Sequence, residues 1–236
     1  MSYLLFAPIS RGHFNPAVSL GVWLGELAEP DVDENNKPRE KNWGREIMDF
    51  ALRIIAQFIG GILGALLAYV VLARHRADGT FGVNPIFIVK LCPKDPLQPD
   101  FCDAEGNQMV QLLATQAFLG FIFCLAFILV PKKGVRPSED KIIQAFAIAL
   151  IFLGLTHVCE LSGASFNPVL SGSLIFFEKF ASKESLENST KYMVGYLVGP
   201  LIGAILSSAF FCCVACAGID TYDTDADEED PKDNAV

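Results

Sequence analysis

The sequence predicts an all-α membrane protein: an inverted-repeat helical bundle with two re-entrant half-helices and an incomplete N-terminal wall. Three observations carry this. Of 236 residues, 52% are hydrophobic, and they gather into continuous runs. Four runs, residues 47–73, 109–130, 142–161 and 192–216, reach the roughly 20 predominantly apolar residues that a membrane-crossing helix needs. Finally, Asn-Pro occurs in HFNPAVSLGVWLG from His13 and again in SFNPVLSGSLIF from Ser165, each time heading an apolar run too short to span.

The elements follow in chain order. Residues 3–9 are apolar but far too short to cross, and they lack the charged head and small-residue cleavage site of a secretory signal. They read as the last turns of a helix that begins earlier. Asn15 then caps the first half-helix, with Pro16 and Ala17 opening it. Asparagine is a strong N-cap, and proline suits the first helical position, where its missing N–H costs nothing. The first full span follows, with Gly60, Gly64, Ala65 and Ala68 as a stripe of small residues that lets helix backbones approach in lipid. Polar residues such as Gln57 and, in the second span, Gln116 are tolerable where they face other helices. After the third span, Asn167, Pro168 and Val169 repeat the cap. The last span repeats the stripe with Gly199, Gly203, Ala204 and Ser207.

Lys132, Lys133, Arg136 and Lys141 mark the loop between the second and third spans as cytoplasmic. Alternation then places residues 74–108 and 177–191 outside, with 26–45 and the C-terminal tail inside. Arg74 and Arg76 argue against this placement. The sequon at Asn188, the one N-x-Ser/Thr triplet in the chain, agrees with it as a candidate glycosylation site. In this orientation the two half-helices enter from opposite faces, the signature of an inverted repeat.

Charge and cysteines bound the rest. Much of the net charge of -9 sits in residues 220–236, which contain DTDADEEDPKD. That stretch reads as an acidic, disordered cytoplasmic tail, with cation or partner binding as the sharper alternative. Residues 1–219 form the membrane domain. No basic cluster interleaved with aromatics suggests nucleic acid. The seven cysteines form no metal-ligand pattern with histidine, and neither metal nor cofactor is expected. Cys92 and Cys102 share one loop and, if it is extracellular, are a candidate disulfide pair. Cys212, Cys213 and Cys216 read as small lipid-facing residues, with palmitoylation the alternative.

Two half-helices ending near the midplane bring two positive helix ends together, which disfavours a cation there. The amides of Asn15 and Asn167 would offer donors to a passing neutral oxygen. The preceding loops, Gly12, His13 and Phe14 in one and Ala164, Ser165 and Phe166 in the other, would offer backbone carbonyls. Water aligned between such groups donates outward in opposite directions, interrupting a proton wire. With no nucleophile–base pair in view, the chemistry is passage rather than catalysis, and an enzyme is excluded.

SRGHFNPAVSLG, RIIAQFIGG, SGASFNPVLS and VGYLVGPLIGA together resemble the aquaporin and aquaglyceroporin family, the major intrinsic proteins, and the likeness runs through essentially the entire chain. The resemblance implies a right-handed bundle of six tilted helices with two half-helices, commonly a homotetramer with one pore per subunit. It implies a passive channel in the lipid bilayer for water and small neutral solutes such as glycerol.

Three departures stand out. The family has two full spans before its first Asn-Pro-Ala box, and this chain shows a remnant of one, as a fragment of a longer product or a genuine short form. By the same comparison, Leu170 stands where relatives carry a filter arginine, with Leu155 and Ala164 as the other filter positions in this chain. An uncharged filter implies a more permissive pore, which Val169 would partly constrict. Gln116 stands near the family's bracing glutamate. His13 matches a family histidine, read either as a backbone-satisfied side chain or as a pH gate. A rival class is a non-conducting scaffold that keeps the packing and uses its loops or tail. A secondary transporter is disfavoured, because no membrane-embedded carboxylate is placed for ion coupling.

Overall fold

A computed structural model describes residues 12–28, 42–72, 74–75, 81–82, 105–132, 138–158, 165–181 and 187–216. They form six α-helices: α1 (Pro16–Ala28), α2 (Trp43–Leu72), α3 (Glu105–Leu129), α4 (Lys141–Val158), α5 (Pro168–Ala181) and α6 (Glu187–Cys216). Two-residue strands β1 (Arg74–His75) and β2 (Phe81–Gly82) pair antiparallel between α2 and α3. Four helices, α2, α3, α4 and α6, are long and apolar enough to cross a membrane. The bundle is an integral, multi-pass membrane fold.

The helix starts follow from local chemistry. The Asn42 side-chain oxygen accepts the Arg45 N–H at 3.2 Å, which extends α2 four residues ahead of its apolar run. Asp140 caps α4 by accepting the Ile142 N–H at 2.7 Å. Asn188 falls at the second residue of α6, so the sequon belongs to a helix start rather than to the loop expected from the hydropathy pattern.

The centre of the bundle is the α3–α6 pair. Pro200, which removes one hydrogen bond from α6, lies against Gly120, where an added Cβ would stand 2.9 Å from the Pro200 Cα. A Cβ on Gly199 would come 2.7 Å from that of Gln116. Only glycine permits this approach. The second stripe of small residues thus packs as expected.

The short helix α1 seats in the groove of that pair. A Cβ on Gly21 would touch Cys124 of α3 at 3.3 Å and both Ala204 and Ser207 of α6 at 3.4 Å. The Ser208 hydroxyl donates to the Gly21 carbonyl at 2.7 Å. Val18, Leu119, Cys124 and Ala204 are fully enclosed there.

Helix α2 shows how the half-helices are opposed. Its Phe50 ring stacks on Trp23 of α1 at 4.7 Å. Two turns on, Gln57 donates to Ser19, nearer the start of α1, at 2.8 Å. One further turn on, Gly61 lies against Val169 and Ser173 in the first turns of α5. Thus α1 and α5 leave a shared junction in opposite directions along one spanning helix. Most other large side chains of α2, including Leu52, Ile55, Ile59, Leu63 and Leu66, are exposed. So are Ile142, Phe146, Leu150 and Leu153 of α4. Such faces suit lipid and would be a liability in water.

The first stripe differs from its expectation. Among the described residues, an added Cβ on Gly60 or Gly64 meets nothing within 4 Å, and the close approach is made one residue round the helix, by Gly61.

Candidate functional site

The junction is built from two loops in the left-handed backbone region. Gly12 has φ 64°, and the non-glycine residues Phe14 and Phe166 have φ 47° and 27°. Such conformations cost about 1–3 kcal/mol each and persist only where surrounding contacts enforce them. At Phe166 those contacts are plain. Its ring is fully buried, tilted on Phe123 at 5.0 Å and edge-on to Phe152 at 5.3 Å. Its N–H donates to the Gln116 side-chain oxygen at 3.0 Å. Gln116, itself fully buried, therefore braces the second loop from α3 without carrying charge.

Each asparagine side chain has two tasks. The Asn15 oxygen accepts the Ala17 N–H at 2.9 Å, and the Asn167 oxygen accepts the Val169 N–H at 3.1 Å. Each amide nitrogen crosses the junction: Asn15 donates to the Phe166 carbonyl and Asn167 to the Phe14 carbonyl, both at 3.0 Å. The two caps are thus locked by a reciprocal pair of bonds related by the internal twofold. Reversing either amide would set oxygen against oxygen, so the orientation is fixed. One N–H of each amide remains, and an amide nitrogen is only a donor.

Supporting polar groups complete both half-helices. In α1, Ser19 accepts from Gln57 and lies 3.3 Å from Nδ1 of the buried His13, whose ring meets Phe127 edge-on at 6.1 Å. In α5, the Ser171 hydroxyl bonds the Asn167 carbonyl at 3.2 Å and also meets Ser165. His13 is therefore held by side chains as well as by its loop.

Beside the junction lies a cavity of about 560 Å³, bounded by α2, α5 and the two loops. His13, Phe14, Asn167, Val169 and Leu170 line it, facing Gly60, Gly64 and Ala68 of α2. Leu170 is 42% exposed onto this space. Asn15 is 3% exposed and Leu155 8%, and neither lines it; Leu155 packs in the core with Phe123 and Phe166. Pro16, Ala17, Ser165 and Pro168 are buried. Ala164, Cys92, Cys102, residues 3–9 and the acidic tail lie outside the described residues.

Arg53 and Gln57 are among the lining residues not singled out as pore groups in the sequence. Arg53 lies one turn before Gln57 on α2, and both border the cavity. Arg53 has no hydrogen-bond or ion-pair partner among the described residues, and the Asp49 carboxylate pairs with Arg45 at 3.9 Å. The available signal was a basic residue inside an apolar run.

The family model described as major intrinsic protein matches residues 46–211. Aquaporin Z of Photorhabdus laumondii subsp. laumondii is 25% identical over 186 residues, which is 75% of this chain. The chain spans 64% of that relative's length.

Proposed function

The chain belongs to the major intrinsic protein family, and we propose that the protein is a passive transmembrane channel for water and small neutral solutes such as glycerol. The observation that carries this reading is the reciprocal bonding of Asn15 and Asn167 at the meeting point of two opposed half-helices. An enzyme would need reacting groups here. The junction instead offers fixed donors, bordered by an apolar cavity.

The proposed mechanism follows from those donors. A solute oxygen reaching the junction accepts from the remaining N–H of Asn167, while the enclosed Asn15 holds the opposed loop through the Phe166 carbonyl. It leaves without proton exchange, because neither amide titrates. The N-termini of α1 and α5 place partial positive charge on both sides of that oxygen, opposing a cation or hydronium. Water there points its hydrogens away from the junction in both directions, so no continuous proton wire forms. Leu170 adds apolar width rather than charge, which favours solutes larger than water. The likeness to Aquaporin Z supports the channel class, and a homotetramer follows by the same analogy.

A second reading draws on one observation. The described residues wall the cavity with α2, α5 and the loops alone, and Leu155 lies in the core. A non-conducting scaffold with intact packing fits those facts too. Stopped-flow swelling of vesicles holding the protein from its native transcript separates the two. Water flux above protein-free vesicles, lowered at least tenfold by Asn15→Ala or Asn167→Ala, supports the channel. Folded protein that passes neither water nor glycerol establishes the scaffold.

A further inference from the structure

We propose that the C-terminal end of α6 is an S-acylation site, where Cys213 takes a long-chain acyl group from an acyl-coenzyme A thioester. Three observations place it there. The exposed side chains of α6 recur at helical spacing: Ile202, Ile205, Leu206 and Phe210 form one stripe, and the exposed Cys213 is its next member. The opposite stripe, with Ala204, Ser207, Ser208 and Phe211, is buried in the bundle. The depth of this end is also marked, because the Lys132 ammonium lies over the Phe211 ring, 4.0 Å from its centroid. A lysine at the end of a span carries its charge to the headgroup level. Phe211 and the cysteines that follow it therefore sit at the membrane–water boundary. Finally, the loop that begins at Lys132 also carries Lys133, Arg136 and Lys141, which place this boundary on the cytoplasmic side, where acyl-coenzyme A is found.

The chemistry suits that position. Juxtamembrane cysteines are acceptors of reversible S-acylation. The Cys213 sulfur loses its proton and attacks the carbonyl carbon of the thioester. A new carbon–sulfur bond forms as the bond to coenzyme A breaks, and the departing coenzyme A sulfur takes up a proton. From Cys213 the exposed stripe runs back to Ile202 over about 16 Å of helix, close to the roughly 15 Å of hydrocarbon in one leaflet. A long saturated chain attached there lies along Phe210, Leu206 and Ile202 within its own leaflet. The other described cysteines are placed less well. Cys212 is half-buried and stands off the stripe, and Cys124 is fully enclosed among α1, α3 and α6. The acyl chain would hold the end of α6 at the boundary just ahead of the acidic residues 220–236, opposing their repulsion by anionic lipid.

The test expresses the protein from its native transcript in yeast fed an alkyne-tagged palmitate. Label on the purified protein is read by click fluorescence, with and without neutral hydroxylamine, which cleaves thioesters. Wild type should be labelled, and hydroxylamine should remove about nine-tenths of the signal. Cys213→Ser should lower the label at least fivefold, Cys212→Ser by less than twofold and Cys124→Ser not at all. Cys213→Ala should show the same loss and serves if the serine variant inserts poorly, with a monodisperse detergent peak as the check on folding. Membrane-inserted wild type that takes no label overturns the proposal. So does a label that resists hydroxylamine, since the acyl group is then not on sulfur. Full labelling of folded Cys213→Ser also overturns it, by placing the acyl group on another cysteine. None of these outcomes bears on conduction, so the channel reading stands or falls separately in the swelling assay.

Discussion

The two halves of this molecule use one sequence device with different outcomes. Each half-helix is followed, after an interval, by a spanning helix bearing small residues four apart. In α6 that stripe is closed: Gly199 and Gly203 lie against the backbone and Cβ atoms of α3. In α2 the equivalent glycines, Gly60 and Gly64, border the cavity, and no described residue lies within 4 Å of a Cβ added to either. The half-helices follow suit. Gly21 of α1 touches two helices at once, whereas Gly61 of α2 seats Val169 and Ser173 of α5. Ser173 is 4% exposed, yet its hydroxyl has no hydrogen-bond partner among the described residues. A small residue in a spanning helix is thus permission for close packing. What it contributes depends on whether a partner backbone arrives.

The widest test of that contrast substitutes one glycine in each stripe. Gly203→Leu drives a side chain into the Ala117 carbonyl and the Phe121 amide, both backbone atoms that cannot move aside. Forced separation of α3 and α6 should cost more than about 3 kcal/mol, beyond ordinary overpacking, and the variant should fail to give a monodisperse detergent peak. Gly64→Leu meets none of the described residues within 4 Å and should keep that peak, with stability changed by less than about 1 kcal/mol. Equal damage from both would show that the α2 stripe is also in close contact.

The asparagines come next. Asn15→Ala removes a cap worth about 0.5–2 kcal/mol and a donor to the Phe166 carbonyl. Its site is almost fully enclosed, so the orphaned carbonyl finds no replacement water. Asn167→Ala removes the matching pair, but its side chain is half-exposed on the cavity and water can substitute. Thermal unfolding in detergent should therefore show the larger loss for Asn15→Ala, by about 1 kcal/mol. A larger loss at Asn167 would reverse the burial argument.

Much of this arrangement is legible in the sequence, and the remainder fails for identifiable reasons. The spans are written as apolar runs, and the caps as Asn-Pro, because capping is local chemistry. The bracing by Gln116 was anticipated as a neighbourhood from family likeness, and the structure supplies the contact, its oxygen on the Phe166 N–H. The crossing of the two amides is not local: it needs both loops in left-handed conformations before the carbonyls of Phe14 and Phe166 can face the opposite asparagine. Stripe register is similarly hidden, since one residue turns a helix by about 100°, enough to pass the contact from Gly60 to Gly61. Arg53 was overlooked because a hydropathy window averages a single charge away.

A smaller difference separates the two glutamines. Gln116→Leu keeps the volume but orphans the buried Phe166 N–H, costing about 1–3 kcal/mol. Gln57→Leu loses a donor to Ser19, whose hydroxyl still meets His13. It also removes the Gln57 oxygen, which has no hydrogen-bond partner among the described residues, an offsetting gain, so its cost should stay below about 1 kcal/mol. Chemical denaturation of the two variants in mixed micelles checks the order.

The slightest structural change carries the sharpest functional contrast between the halves. Leu170 is 42% exposed onto the cavity, one turn from the α5 cap. Its N–H already bonds the Asn167 oxygen at 3.4 Å, so the backbone is held whatever side chain is attached. Leu170→Arg should therefore change stability by less than about 0.5 kcal/mol, as for a solvated position. It should still fill part of the cavity and add a fork of donors near the α5 end. Under the channel reading, glycerol flux should fall several-fold while water flux falls less than twofold, because a single water fits beside a guanidinium and a three-carbon solute does not. The mirror-image change, Val18→Arg on α1, enters a site with no exposure at all and should abolish folding. Parallel swelling assays with water and glycerol would read the first variant and detergent chromatography the second. Equal loss of water and glycerol flux in Leu170→Arg would mean that solutes cross away from the α5 side of the junction.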